Sequence, residues 1–143
     1  MPRLGLLNMT IGFLVLSIAA AAGPFLATDI TAGFLRDKAL LDTWALMLQK
    51  SSHGHTNLFG TLHVLFGLTL AYSALGERMK RAQTVGLALG SIGMGPVLLV
   101  RAAMGPTNGI DATEVVIGAF LSCALAALVT HAYGLARKYF RTV

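Results

Sequence analysis

Residues 4–28 read LGLLNMTIGFLVLSIAAAAGPFLAT, an apolar run without one charged side chain. A hydrocarbon layer about 30 Å thick needs roughly 20 such residues at a rise of about 1.5 Å each. Backbone polar groups in that layer must pair within the segment. A run this long with no in-and-out alternation is therefore a helix, not a barrel strand. Three further segments read the same way: Thr56–Gly76, Ala82–Val100 and Val115–Ala136. Together they predict an all-α fold, an integral membrane four-helix bundle forming a single transmembrane domain over residues 1–143.

The bulk composition agrees. Of 143 residues, 55% are hydrophobic and only 12% charged, about half the charge of an ordinary soluble domain. The net charge of +5 does not mark a nucleic-acid binder, because the basic residues sit at the ends of apolar segments and no basic run is interleaved with aromatics. Cys123 stands alone and forms no intrachain disulfide. Met1-Pro2-Arg3 followed by an apolar run and Ala20-Ala21-Ala22 has the pattern of a cleavable signal, yet the run is long enough to be kept as a helix.

Lysine and arginine set the orientation. With four crossings, Arg3, Arg78, Lys80, Arg81, Arg137, Lys138 and Arg141 share one side with the single acid Glu77. Arg36, Lys38, Lys50 and Arg101 lie opposite, offset by Asp29, Asp37, Asp42, Asp111 and Glu114. Both termini are therefore expected in the cytoplasm, with the chain in the inner membrane. In the first outer loop, Phe34–Lys50, the residues Leu41, Trp44 and Leu48 recur at helical spacing and Lys38 and Asp42 form an i,i+4 pair. That pattern predicts a helix lying in the interface, anchored by Trp44.

The chemistry concentrates where the second segment begins, at Ser51-Ser52-His53-Gly54-His55-Thr56-Asn57-Leu58-Phe59-Gly60, with His63 just beyond. Ionisable side chains at membrane depth are candidates for function, and neutral imidazole is a ligand for metal or haem iron. His53 and Asn57 share a helix face. His55 and His63 are about 12 Å apart along the axis and rotated by roughly 80°, which prevents them from holding one small ion. Neither a zinc-type H-x-x-x-H nor a cysteine or carboxylate cluster accompanies them. Haem asks for less: one axial histidine and an apolar slot. Gly60, Gly67, Gly86, Gly90, Gly93 and Gly95 either let helices pack closely or leave room for a macrocycle. Arg101 is placed to contact lipid phosphate or a haem propionate. His131 with Tyr133 reads as an interfacial polar pair.

His53-Gly-His55-Thr-Asn57-Leu-Phe-Gly60 resembles the H-x-H-x-N-L-x-G signature of small four-helix bacterial membrane proteins related to subunit I of haem-copper oxidases. It is also similar to the helix-two motif of styrene oxide isomerases, A-H-S-G followed four residues later by N-G. Leu89-Gly90-Ser91-Ile92 resembles an L-G-S-I in their third helix, and Gly105-Pro106-Thr107-Asn108-Gly109 resembles their S-P-N-R-G loop. The resemblance spans helices two and three and the loop after them. It implies haem b held between subunits of a homotrimer. It also implies His53 as axial ligand, with His55 next, and iron acting as a Lewis acid that turns small lipophilic epoxides into aldehydes. The family's motif asparagine falls on Phe59 and its third-helix tyrosine near Leu99, so Asn57 is the asparagine this chain offers for catalysis.

Three functions are consistent with these residues. The first is a haem-b isomerase with His53 or His55 on the metal and His63, Gly60 and Arg101 around the cofactor. The second is a non-enzymatic haem protein for electron transfer or gas binding. The third is a structural subunit or assembly factor of a membrane complex. Hydrolase triads, paired carboxylates and phosphate-binding loops are absent from the sequence.

Overall fold

A computed structural model describes residues 3–39 and 43–142, and the regular structure among them is entirely helical. Helix α1 (Arg3–Arg36) is followed by α2 (Trp44–Thr69), a 3₁₀ turn (Leu70–Tyr72), α3 (Glu77–Ile92), a π turn (Gly93–Val97), α4 (Leu98–Met104) and α5 (Ala112–Thr142). Three stretches are long and apolar enough to cross a membrane: Arg3–Arg36, the continuous rod Glu77–Met104, and Ala112–Arg141. Helix α2 has the length, with 26 residues, but its N-terminal part carries Gln49, Lys50, Ser51, Ser52, His53, His55, Thr56 and Asn57.

Two expectations about boundaries are corrected. The helices overrun the apolar segments: Trp44–Lys50 and Glu77–Arg81 are mostly good helix formers, while α1 continues to Arg36 through Thr31 and Gly33, which are not. Phe34 accordingly sits in α1, and the third helix begins at Glu77, not Ala82. A separate interfacial helix is not formed by the described part of the first loop. Trp44–Lys50 make the first turns of α2, started by Thr43, whose hydroxyl accepts the Leu46 N–H at 3.4 Å in the manner of an N-cap. Leu41 and Asp42 lie outside the described residues. The rod from α3 to α4 is interrupted where Pro96 lacks an N–H to donate, and the backbone there takes the wider π spacing.

Helices α1 and α2 pack antiparallel, in a register read from their glycines. A methyl group at Gly5 would lie 2.8 Å from the Gly67 carbonyl oxygen, and one at Gly12 would lie 2.7 Å from that of Gly60. At the other end Gly23 faces the His53 ring. Backbones this close need the absent side chains. Gly86 of α3 and Gly93 of the π turn do the same against α5, facing the Cys123 carbonyl and Phe120. The glycine positions are thus filled by neighbouring helices, so close packing is their role and they leave no slot for a macrocycle. Gly12→Ala is expected to destabilise the protein by about 1–3 kcal/mol, because the new methyl meets backbone that cannot yield. Thermal denaturation in detergent checks this, with Gly54→Ala, whose methyl would meet nothing within 4 Å, as the tolerated control.

The apolar core joins α2 to α3, α4 and α5 through Phe59, Phe66, Leu70, Leu87, Met94, Leu98 and Ala124. It leaves the first turns of α2 flanked by α1 on one side and by the π turn and α4 on the other.

Candidate functional site

Successive helical residues turn by about 100°, so His53 and His55 lie roughly 200° apart on α2 and serve opposite flanks. His53 faces α1 at Gly23. The Asn57 amide nitrogen donates to the His53 carbonyl oxygen at 3.0 Å and approaches the ring Nε2 at 3.3 Å. An amide nitrogen only donates, so Nε2 accepts and the ring proton belongs on Nδ1, which is buried with no partner among the described residues. In this arrangement the lone pair of His53 is occupied. Asn57 positions His53.

His55 is arranged the other way. Its Nδ1 lies 2.8 Å from the Ser51 carbonyl oxygen, which only accepts, so the proton is on Nδ1 and Nε2 keeps a bare lone pair. A backbone carbonyl holding the remote ring nitrogen is the support that metal-ligating histidines commonly have. Beside it, Gly54 faces open space and Leu58 is exposed. His55 therefore fits the donor set that haem iron needs. The cleft next to His53 measures about 260 Å³, below the roughly 300–1,000 Å³ of ordinary ligand pockets, and does not enclose a porphyrin.

The remaining expected ligand-shell residues are placed elsewhere. Gly60 faces Leu16 and the Gly12 carbonyl. His63 is fully buried and bonds Asn8 through Nδ1 at 3.0 Å, while the Asn8 amide nitrogen donates to the Leu4 carbonyl and the Thr84 hydroxyl, both at 2.9 Å. This network lies at the Gly5–Gly67 end of the α1–α2 pair. The sequence signal for it is Asn8, the one amide in the uncharged first run.

Arg101 is not available to a propionate, because the chain's own carboxylates hold it. Its Nε lies 2.9 Å from Asp111 Oδ2, Nη2 donates to Glu114 Oε1 at 3.0 Å and to the Thr107 hydroxyl at 3.1 Å, and Nη1 donates to the Gly105 carbonyl. The Trp44 ring stacks on the guanidinium at 4.5 Å, and its indole N–H donates to the Arg101 carbonyl at 3.4 Å. Arg101 is 2% exposed and ties the starts of α2 and α5 to the loop between α4 and α5.

Asp111 also caps α5, accepting the N–H groups of Thr113 at 2.8 Å and Glu114 at 3.0 Å. The Thr113 hydroxyl, then the Glu114 N–H, then the Arg101 charge hold its carboxyl below the usual carboxylate range, outweighing the opposing effect of burial. A folded value below the unfolded one means stabilisation that is present above the ordinary carboxylate range and lost as pH falls through the folded value. Thermal stability is therefore expected to decline on the acid side, and Asp111→Asn to flatten that decline. An unaltered acid limb in the variant would contradict this reading.

His131 does not pair with Tyr133. Two helical positions apart, they point to different faces, and Tyr133 is 59% exposed while His131 is buried. His131 stacks on Phe66 with centroids 4.1 Å apart and bonds the Thr69 hydroxyl at 2.9 Å. Groups of three or more side chains able to hold a metal ion are absent among the described residues. Comparisons with protein-family models, with characterised proteins and with solved structures find no match.

Proposed function

We propose that the chain is an inner-membrane protein crossing four times with both termini cytoplasmic, and that the outer end of α2 holds a b-type haem through His55. The fourth crossing rests on α2 running beside α1 from the Gly5–Gly67 contact to the Gly23–His53 contact. Much of its polar surface is turned inward: Ser52 donates to the Gly95 carbonyl, Thr56 to the Ser52 carbonyl, and His63 to Asn8. The exposed side carries Met47, Leu58, Leu65 and Leu68, which suit lipid.

The observation that carries the haem assignment is the bare Nε2 of His55, fixed by the Ser51 carbonyl and facing an open surface at Gly54. His53, which the isomerase resemblance would place on the metal, is engaged by Asn57 and serves the opposite flank. When bound, the group supplies Lewis acidity toward the oxygen of a small lipophilic epoxide arriving from the bilayer, the reaction that resemblance implies. The chain's own contribution is to orient the His55 ring and to keep water from the apolar side of α2. Because His55 sits on an open face, a second copy of the chain is the natural cover, giving a homo-oligomer.

Purified protein incubated with an aryl epoxide and no reductant is expected to release the aldehyde, with activity lost in His55→Ala. A pigmented protein that is reduced and binds carbon monoxide but leaves the epoxide untouched would assign the chain to electron transfer or gas binding instead.

A further inference from the structure

The cleft beside His53 has a chemistry of its own. The antiparallel register sets its levels: Ile18 lies near Thr56, Ala22 near His53, and Asp29 near Gln49 at the outer end. Ile18, Ala22, Phe25 and Asp29 recur along one face of α1, so the cleft runs from hydrocarbon at its inner end to a carboxylate at its mouth. Asp29 is the only charged side chain lining it, is exposed, and makes no ion pair among the described residues. Deeper in, the hydroxyl hydrogens of Ser52 and Thr56 are spent on the carbonyls of Gly95 and Ser52, which leaves their oxygens as acceptors. The Arg101 guanidinium is committed to Asp111 and Glu114. The His53 ring, whose Nδ1 proton has no partner among the described residues, lines the wall as well. The two hydroxyl oxygens with one unpaired carboxylate at the mouth make the short apolar cleft complementary to a hydrogen-bond donor carrying positive charge.

We propose that this cleft binds small lipophilic amines, with the ammonium against Asp29 and Gln49 and the hydrocarbon directed toward Ile18. Its volume of about 260 Å³ limits the ligand to one smaller than drug-sized. Amines of this kind gather at the headgroup level of a membrane, where the mouth lies in the four-crossing arrangement. The proposal does not depend on haem, because His55 serves the other flank of α2.

Saturation-transfer NMR and calorimetry on the full chain in detergent, with 2-phenylethylamine, 2-phenylethanol and 3-phenylpropionate as probes and empty micelles as blank, test it. The amine is expected to bind about ten-fold tighter than the alcohol, the equivalent of one modest ion pair, and the carboxylate not at all. Asp29→Asn is expected to bring the amine down to the alcohol. Ala22→Phe, at an exposed position, is expected to remove both while leaving the helical circular dichroism unchanged. Equal binding of amine and alcohol to the wild type, a preference surviving Asp29→Asn, or amine binding surviving Ala22→Phe would each overturn the assignment. The readings are the same on pigmented and colourless protein, so failure here leaves the haem assignment standing, and failure of that assignment leaves this one untouched.

Discussion

Alanine in place of His55 is expected to abolish the Soret band of the purified protein, whereas His53→Ala is expected to keep it. The two residues serve opposite flanks of α2 and differ in which ring nitrogen is spoken for. The Ser51 carbonyl takes the Nδ1 proton of His55 and leaves Nε2 free, while the Asn57 amide occupies Nε2 of His53. Losing an outer-shell support alone costs about 10–100-fold in metal affinity, so removal of the ligand itself is expected to exceed that range. His55→Gly with added imidazole is expected to restore the band, since the open surface at Gly54 admits the free ring. In His53→Ala the bond from Asn57 to the backbone carbonyl survives, and a net hydrogen bond is worth about 1 kcal/mol, so stability falls little. The opposite pattern, with His53→Ala colourless and His55→Ala pigmented, would mean that the iron sits on the α1 flank and that Asn57 moves aside on binding.

The largest loss of stability is expected from Arg101→Ala. Its guanidinium is 2% exposed and answers two carboxylates, the Thr107 hydroxyl, the Gly105 carbonyl and the Trp44 ring. Breaking a fully buried ion pair from one side typically costs about 3–5 kcal/mol. Because the Asp111 and Glu114 side chains are 18% and 35% exposed, water compensates part of the charge left behind, and the loss is expected at the lower end of that range. Thermal unfolding in detergent is the measurement, with limited proteolysis of the 105–111 loop as a local reporter. Arg101→Lys keeps a charge but loses the planar fork, and is expected to recover only part of the loss. Arg101→Leu combined with Asp111→Asn and Glu114→Gln is expected to be markedly more stable than Arg101→Leu alone, because no unpaired charge remains. Equal stability of wild type and Arg101→Ala would show that the five contacts do not act together.

Helices long and apolar enough to cross a membrane are legible in residues 4–28, 82–100 and 115–136 because apolar length follows directly from bilayer thickness. Helix ends are not, since hydropathy marks only where lipid begins, and α1 runs on to Arg36 even through the weak helix formers Thr31 and Gly33. The histidine cluster on α2 was equally plain as a cluster. Its internal division was not, because the choice between His53 and His55 depends on hydrogen bonds to Asn57 and Ser51 that spacing alone leaves open. Arg101 and His131 resist placement from sequence for a different reason: their partners Asp111, Glu114, Thr69 and Phe66 lie on other elements of the chain. Glycines read two ways in one dimension, and only the neighbour facing each of them decides between packing and space. Asp29 and Gln49 carry no local signal at all, because their meeting at one level is made by the antiparallel pairing of α1 with α2.

The most direct test is the visible absorption spectrum of the full chain purified from cells supplied with haem precursor, followed by pyridine haemochrome and iron analysis. A Soret band, a b-type haemochrome and one iron per binding site are predicted, with the band lost in His55→Ala. A colourless, iron-free, well-folded protein would contradict the account and leave the α2 histidines as hydrogen-bonding elements of a structural bundle.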